Sequence, residues 1–186
     1  MTDLTELKAA ARKAAFARRK EAHCETRSAL GVAHLIGELT AHKGKPMSGY
    51  MPIRTEINPQ PAMAAMAAWS TLGVPYIEGK GMPLKFAKWR PDSDLVEGPF
   101  GAQVPATLEF FDPEVVIVPL VAFDRNGGRL GYGGGFYDRT LEGLRAKRPT
   151  LAIGYAYAAQ EATDLPLEPT DQPLDMIVTD EGVIRF

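Results

Sequence analysis

The stretch VIVPLVAFDRNGGRLGYGGGFYDRTL, residues 116–141, decides the fold. With Val115 it opens as VVIVPLV, β-branched and apolar on both faces, which is what a strand at the centre of a parallel sheet requires. Asn126-Gly127-Gly128 then marks a turn. Gly131, Gly133, Gly134 and Gly135 follow almost without interruption, and a helix over residues 136–148 opens behind them. Reading outward, residues 151–157 form another buried strand, and residues 176–179 with 183–186 close the chain. Upstream, residues 4–23 read as a helix that Thr2 or Asp3 can cap, with an apolar stripe of Leu4, Leu7, Ala11, Ala14 and Ala15. Residues 28–40 form a second amphipathic helix offering Leu30, Ala33, Leu35, Ile36 and Leu39 for burial. After a polar loop (41–46) come a strand (47–53), a helix that begins at Pro61 and stops at Gly73, and a short strand (74–77). Residues 79–105 are dense in Gly, Pro and charge. They read as strand-like pieces near 84–89 followed by an irregular excursion, the kind of segment that is usually functional or a lid. Helices alternating with apolar strands give an α/β fold: three layers, a mostly parallel sheet flanked by helices.

Composition limits the function classes. The 186 residues suit one domain, 1–186, with a substantial core. With 45% hydrophobic and 24% charged residues the chain is not a disordered one. A net charge of −2 argues against a surface built for nucleic acid. No apolar run approaches the roughly 20 residues of a membrane helix. The basic first 20 residues lack the apolar core and cleavage site of a signal peptide. Cys24 is the only cysteine, so there is no internal disulfide and no cysteine zinc site, and a cytoplasmic home is expected.

The chemistry concentrates in the glycine loop. Glycine lets bare backbone approach a ligand, and N–H groups at a helix N-terminus attract anions. The loop is therefore a phosphate cradle in form. It lacks the Lys-Ser or Lys-Thr of a Walker-A loop and fails G-x-G-x-x-G at its last position. The plain alternative is a turn that tightens a strand–helix junction. Arg129 and Asp138 bracket the loop, a cation that can meet phosphate and a carboxylate that can hold Mg²⁺.

The run 127–141, with Leu130-Gly131-x-Gly133-Gly134-Gly135-Phe136-Tyr137-Asp138, resembles the signature of the 5-formyltetrahydrofolate cyclo-ligase family. Further matches lie in order along nearly the whole chain: Lys8-x-x-x-Arg12, Arg54-Thr55-Glu56-Ile57, Phe100-Gly101, Gln160, and Asp171-x-x-x-Asp175 before Ile177-Val178-Thr179. One departure is local: Val104-Pro105 stands where many members carry Glu-Pro. The resemblance implies the Rossmann-like fold shared with sugar-phosphate isomerases and CoA transferases. It also implies ATP-dependent cyclisation of 5-formyltetrahydrofolate to 5,10-methenyltetrahydrofolate, with Mg²⁺.

It further implies residue roles. Lys8 and Arg12, four apart on one helix face, would reach the nucleotide phosphates, whereas Lys13, Arg18, Arg19 and Lys20 are expected as surface charge. The ATP site would comprise Lys8, Arg12, Arg129, Leu130, Gly131, Tyr132, Gly133, Gly134, Gly135, Phe136 and Tyr137. Met51, Glu56 and residues Tyr132 to Phe136 would contact the folate, Glu56 accepting hydrogen bonds from the pterin edge. Arg129, Tyr132, Gly133, Gly134 and Gly135 would sit where the formyl group meets the γ-phosphate. Asp138 and Asp171 are the Mg²⁺ candidates. The plain alternatives are a helix-start acid for Asp138, a turn residue for Asp171, core packing for Met51 and a solvated hairpin end for Arg129. Asp175 is expected to be structural, and Trp89 and Phe100 to be core or lid residues that could stack on the folate. A monomer is expected. Two rivals share the sequence features: a sugar-phosphate or CoA enzyme of similar fold, and a non-catalytic nucleotide-binding protein.

Overall fold

The computed structural model describes residues 3–186. An eight-stranded sheet forms its middle layer. Its strands are β1 (Met47–Ser48), β2 (Leu72–Tyr76), β3 (Lys85–Trp89), β6 (Phe110–Phe111), β7 (Val115–Pro119), β10 (Leu151–Tyr155), β11 (Met176–Thr179) and β12 (Gly182–Arg185). Their spatial order is β12-β11-β10-β7-β1-β2-β3-β6. The five strands from β11 to β2 are parallel, while β12 and β3 run antiparallel at either side. Two small hairpins stand off the sheet: β4 (Leu95–Glu97) with β5 (Gln103–Pro105), and β8 (Ala122–Phe123) with β9 (Arg129–Leu130).

The two-residue period of β7 explains the three layers. Val115 and Ile117 join a core with Leu35, Leu39, Met63 and Met66, which comes from α2 (Glu25–Thr40) and α3 (Gln60–Met66). Val116 and Val118 point the other way, to Leu141 and Leu144 of α4 (Phe136–Lys147). A strand apolar on both faces is thus covered on both faces.

Four local expectations change. Residues 47–53 form a strand only at Met47–Ser48. Gly49 N–H bonds Gly73 O at 2.9 Å, and the next donor β2 would offer on that side belongs to Pro75, which has none. The chain therefore leaves the sheet at Gly49, freeing residues 50–56 to wall a cavity. The third helix ends at Met66, and Leu72 and Gly73 belong to β2. Gly73 is glycine for packing, because a Cβ there would lie 2.3 Å from the Phe111 ring. In α1 (Leu4–Ala22) only part of the stripe is packed: Ala15 is buried with Ala11 against the same cluster, but Leu7 is 46% exposed and Ala14 is exposed, and the buried face continues through Arg19 and Ala22. Asp3 occupies the N-cap position without a side-chain hydrogen bond, and Thr2 lies outside the described residues. In α2, Leu30 and Ala33 are likewise exposed, whereas Leu35 and Leu39 are buried.

The topology prepares a crevice. From β1 the chain moves to β2 on one side of the sheet centre. From β7 it moves to β10 and β11 on the other. Loops leaving the carboxyl ends of β1 and β7 diverge, which is where open α/β sheets bind ligands.

Candidate active site

A cavity of about 920 Å³ occupies that crevice. Its walls are the first turns of α1 (Lys8, Arg12), the segment after β1 (Tyr50, Met51, Ile53, Glu56), the loop and helix start from Arg129 to Arg139, and Glu168 with Asp171. Every site residue expected from sequence lines it: Lys8, Arg12, Met51, Glu56, Arg129 through Asp138, and Asp171.

The glycine loop is built for close approach. Gly133 (φ +101°) and Gly135 (φ +66°) hold left-handed conformations that side chains resist. Gly134 is not left-handed, but a Cβ there would meet the Phe136 ring at 2.8 Å. Arg12 Nε donates to Gly131 O at 2.8 Å and Arg139 Nη2 to Gly134 O at 2.6 Å. The carbonyls are thus tied to arginines, and the N–H groups of Gly133, Gly134 and Gly135 have no backbone partner among the described residues. Gly135 is the N-cap of α4, so the helix dipole adds to these free donors. The arrangement suits an anion.

The charged groups are paired across the cavity. Arg129, buried, donates through Nη2 to Asp138 Oδ1 at 2.7 Å, and the same oxygen accepts Gln172 N–H at 2.9 Å. Arg129 is therefore no solvated hairpin end, and Asp138 is more than a helix-start acid. Asp138 Oδ2 is left open among the described residues. Lys8 pairs with Glu168 and, at 3.5 Å, with Asp171 Oδ2, which also accepts Glu168 N–H at 2.7 Å. No cluster of three metal-ligating side chains occurs among the described residues. Mg²⁺ usually takes only one or two protein carboxylates and fills its shell with water and phosphate, so the donors present fit that ion.

Glu56 anchors the opposite wall. Oε2 accepts Ile53 N–H at 2.9 Å, and Oε1 accepts the Tyr132 hydroxyl at 2.7 Å. Burial pushes its carboxyl above the usual range, partly offset by those two hydrogen bonds and by Arg19 and Arg54. Burial, with Glu56 nearby, also drives the Tyr132 and Tyr137 phenols upward, so both remain neutral donors. The Tyr137 hydroxyl is buried without a partner in the wall.

Arg19 is the main correction. It is not surface charge: it is 1% exposed. Nη1 donates to the Tyr132 hydroxyl at 2.7 Å and Nε to Thr55 Oγ1 at 3.0 Å, while the guanidinium stacks near the Phe16 and Tyr132 rings. Helical spacing could have exposed it, because Lys8, Arg12, Ala15 and Arg19 share one face. Tyr50, Arg139 and Glu168 also line the cavity without having been singled out. Conversely, Trp89 sits in the core and Phe100, 65% exposed, is not in the cavity wall, so neither is placed to stack there. Asp175 Oδ2 accepts Ala152 N–H and an Arg145 bond, and the buried Gln160 amide donates to Leu120 O and Val121 O; both are structural.

Comparison with known proteins agrees with this geometry. A family model described as the 5-formyltetrahydrofolate cyclo-ligase family matches residues 5–180. A 5-formyltetrahydrofolate cyclo-ligase of Haemophilus influenzae is 40% identical over 101 residues, which cover 51% of this chain and 54% of that protein. The chain thus spans about half the length of that relative. One from Mycolicibacterium smegmatis is 30% identical over 77% of this chain and 78% of its own. The solution structure of Aquifex aeolicus 5,10-methenyltetrahydrofolate synthetase superposes with a TM-score of 0.76 at 29% identity, covering 96% of this chain and 92% of that one. With a family match running through α1, the loop after β1 and the glycine loop, the chain belongs to the 5-formyltetrahydrofolate cyclo-ligase family.

Proposed function

We propose that this chain converts 5-formyltetrahydrofolate and ATP into 5,10-methenyltetrahydrofolate, ADP and phosphate. The carrying observation is one cavity that holds a phosphate-type glycine loop on one wall and a buried, hydrogen-bonded carboxylate on the other. The formamide oxygen is a poor leaving group. Its attack on the γ-phosphorus releases ADP and makes it a good one. N10 then bonds the formyl carbon and loses its proton, and the activated oxygen departs as phosphate. No protein nucleophile is needed, so catalysis is positioning and charge stabilisation.

The free N–H groups from Gly133 to Gly135 cradle the phosphates, and Lys8 and Arg12 supply charge from α1. Leu130, Gly131, Phe136 and Tyr137 complete the nucleotide wall. Glu56 retains a free lone pair on each oxygen, enough to accept the pterin's amide and amino N–H groups, and Met51 packs beside it. Tyr132 touches both regions, and Arg129 holds Asp138 in place. Asp138 and Asp171 would hold Mg²⁺, which when bound neutralises charge on the transferring phosphate. Lys8 is held beside that position by Glu168 and Asp171. We take the protein to act as a cytoplasmic monomer without nucleic-acid or membrane partners. No helix among the described residues is long and apolar enough to cross a membrane.

The test is purified protein with 5-formyltetrahydrofolate and MgATP, followed by absorbance of the methenyl product. ATP-dependent product formation is expected. A protein that binds ATP but forms no product, or that turns over phosphosugar or CoA substrates instead, overturns the reading.

A further inference from the structure

Arg19 is a buried cation without an ion-pair partner among the described residues, as its guanidinium contacts only Thr55, Tyr132 and aromatic faces. Burying a charge is costly unless hydrogen bonds or a nearby opposite charge offset its desolvation. The nearest acid in this hydrogen-bonded chain is Glu56, one hydroxyl away: Arg19 Nη1 to Tyr132 is 2.7 Å, and Tyr132 to Glu56 Oε1 is 2.7 Å. Tyr132 accepts from the guanidinium and therefore must donate its single proton to the carboxylate. The relay fixes the direction of every bond in it. Phe16, with its ring centroid 5.7 Å from that of Tyr132, keeps the phenol from swinging away.

We infer that Arg19 is a positioning residue which, acting through Tyr132, keeps Glu56 in its accepting form and aimed into the cavity, so that a residue outside the cavity wall sets recognition of the pterin edge. The inference rests on the folate reading of the cavity. Five groups face Glu56: Arg54 on its own turn, Arg19 from α1, Tyr132 from the glycine loop, and the neutral phenols of Tyr50 and Tyr137. The Ile53 N–H and Tyr132 hydrogen bonds and the two arginines oppose its protonation; of the two charges Arg54 is exposed to solvent, and Arg19 is the one that also holds Tyr132 in its donating orientation. Loss of the Arg19 charge therefore leaves a desolvated carboxyl that protonates at higher pH and can no longer accept two N–H donors.

The test is steady-state turnover with each substrate varied across pH, on wild type and on Arg19→Met, Arg19→Gln and Arg19→Lys, with thermal melts to establish folding. Arg19→Met should raise KM for 5-formyltetrahydrofolate about tenfold or more while KM for ATP changes little. The acid limb of kcat/KM for the folate should move to higher pH in Arg19→Met and Arg19→Gln. In Arg19→Lys, which keeps the charge, it should stay near its wild-type position. Should Arg19→Met fail to fold, Tyr132→Phe in an Arg19→Gln background provides the reading. The relay predicts that the double variant is no worse than the worse single variant, because both break one chain of bonds. Folded variants with unchanged folate KM and acid limb, or fully additive losses in the double variant, overturn the inference while leaving the cyclo-ligase reading intact. A wild type that forms no methenyl product overturns that reading and takes the inference with it.

Discussion

Replacing Asp138 by Asn tests two roles of one carboxylate. The substitution is nearly isosteric and keeps an oxygen to accept Gln172 N–H. It removes the charge facing Arg129, whose side chain is only 5% exposed against 23% for Asp138. Breaking a fully buried ion pair by removing one partner costs roughly 3–5 kcal/mol, and a charge-assisted hydrogen bond is worth about 1.5–3. Partial exposure and the retained acceptor place this case near the lower figure, about 2 kcal/mol. For a chain of this size that lowers Tm by about 4–8 °C. Turnover at limiting Mg²⁺ should fall further than stability explains, because the open Oδ2 loses its negative charge as well. Thermal melts give the first quantity and a Mg²⁺ titration of turnover the second. An unchanged Tm would refute the ion pair, and near-wild-type turnover across the titration would remove Asp138 from the metal site.

Lys8→Ala and Arg12→Ala should each raise KM for ATP more than KM for the folate; the reverse order in steady-state kinetics would place α1 at the wrong ligand. Gly134→Val should melt with no ATP-induced rise in Tm, because its side chain must displace the Phe136 ring and with it the free N–H groups; an undiminished ATP shift would reduce the loop to a tight turn. Glu56→Gln should melt above wild type near pH 8, with the difference closing towards about pH 4. The sign follows from the raised carboxyl: its contribution to stability is full below the ordinary glutamate range and is lost as pH rises through the folded value. The same variant should bind the folate more weakly, so equal melting curves across pH with intact folate KM would remove Glu56 from both arguments.

The strands of the sheet centre were legible because their side chains carry their own burial: VVIVPLV can be stable only between two covered faces. The loop was legible for a similar reason, since three adjacent glycines have few uses other than close approach. What sequence hid was set by neighbours. Pro75, on another strand, cuts β1 to two residues. The Phe111 ring, rather than a helix end, requires Gly73. Arg19 looked like its neighbours Arg18 and Lys20 because its burial depends on Phe16, Thr55 and Tyr132, and the last two come from distant parts of the chain. Nor does sequence show which loop glycines are left-handed: Gly133 and Gly135 are, whereas Gly134 is restricted by the Phe136 ring.

The ties between α1 and the rest of the cavity have a consequence for biosynthesis. Arg12 meets Gly131 across 119 positions, and Lys8 meets Glu168 across 160. On a ribosome α1 waits long for these partners, because Glu168 follows Lys8 by 160 residues. Until then its basic face has no acids to meet, and with only Ala15, Arg19 and Ala22 buried it has little apolar area to hold it against the growing sheet. A nascent chain can therefore pair its strands as far as β10 before α1 and the Glu168–Asp171 turn close the cavity between them.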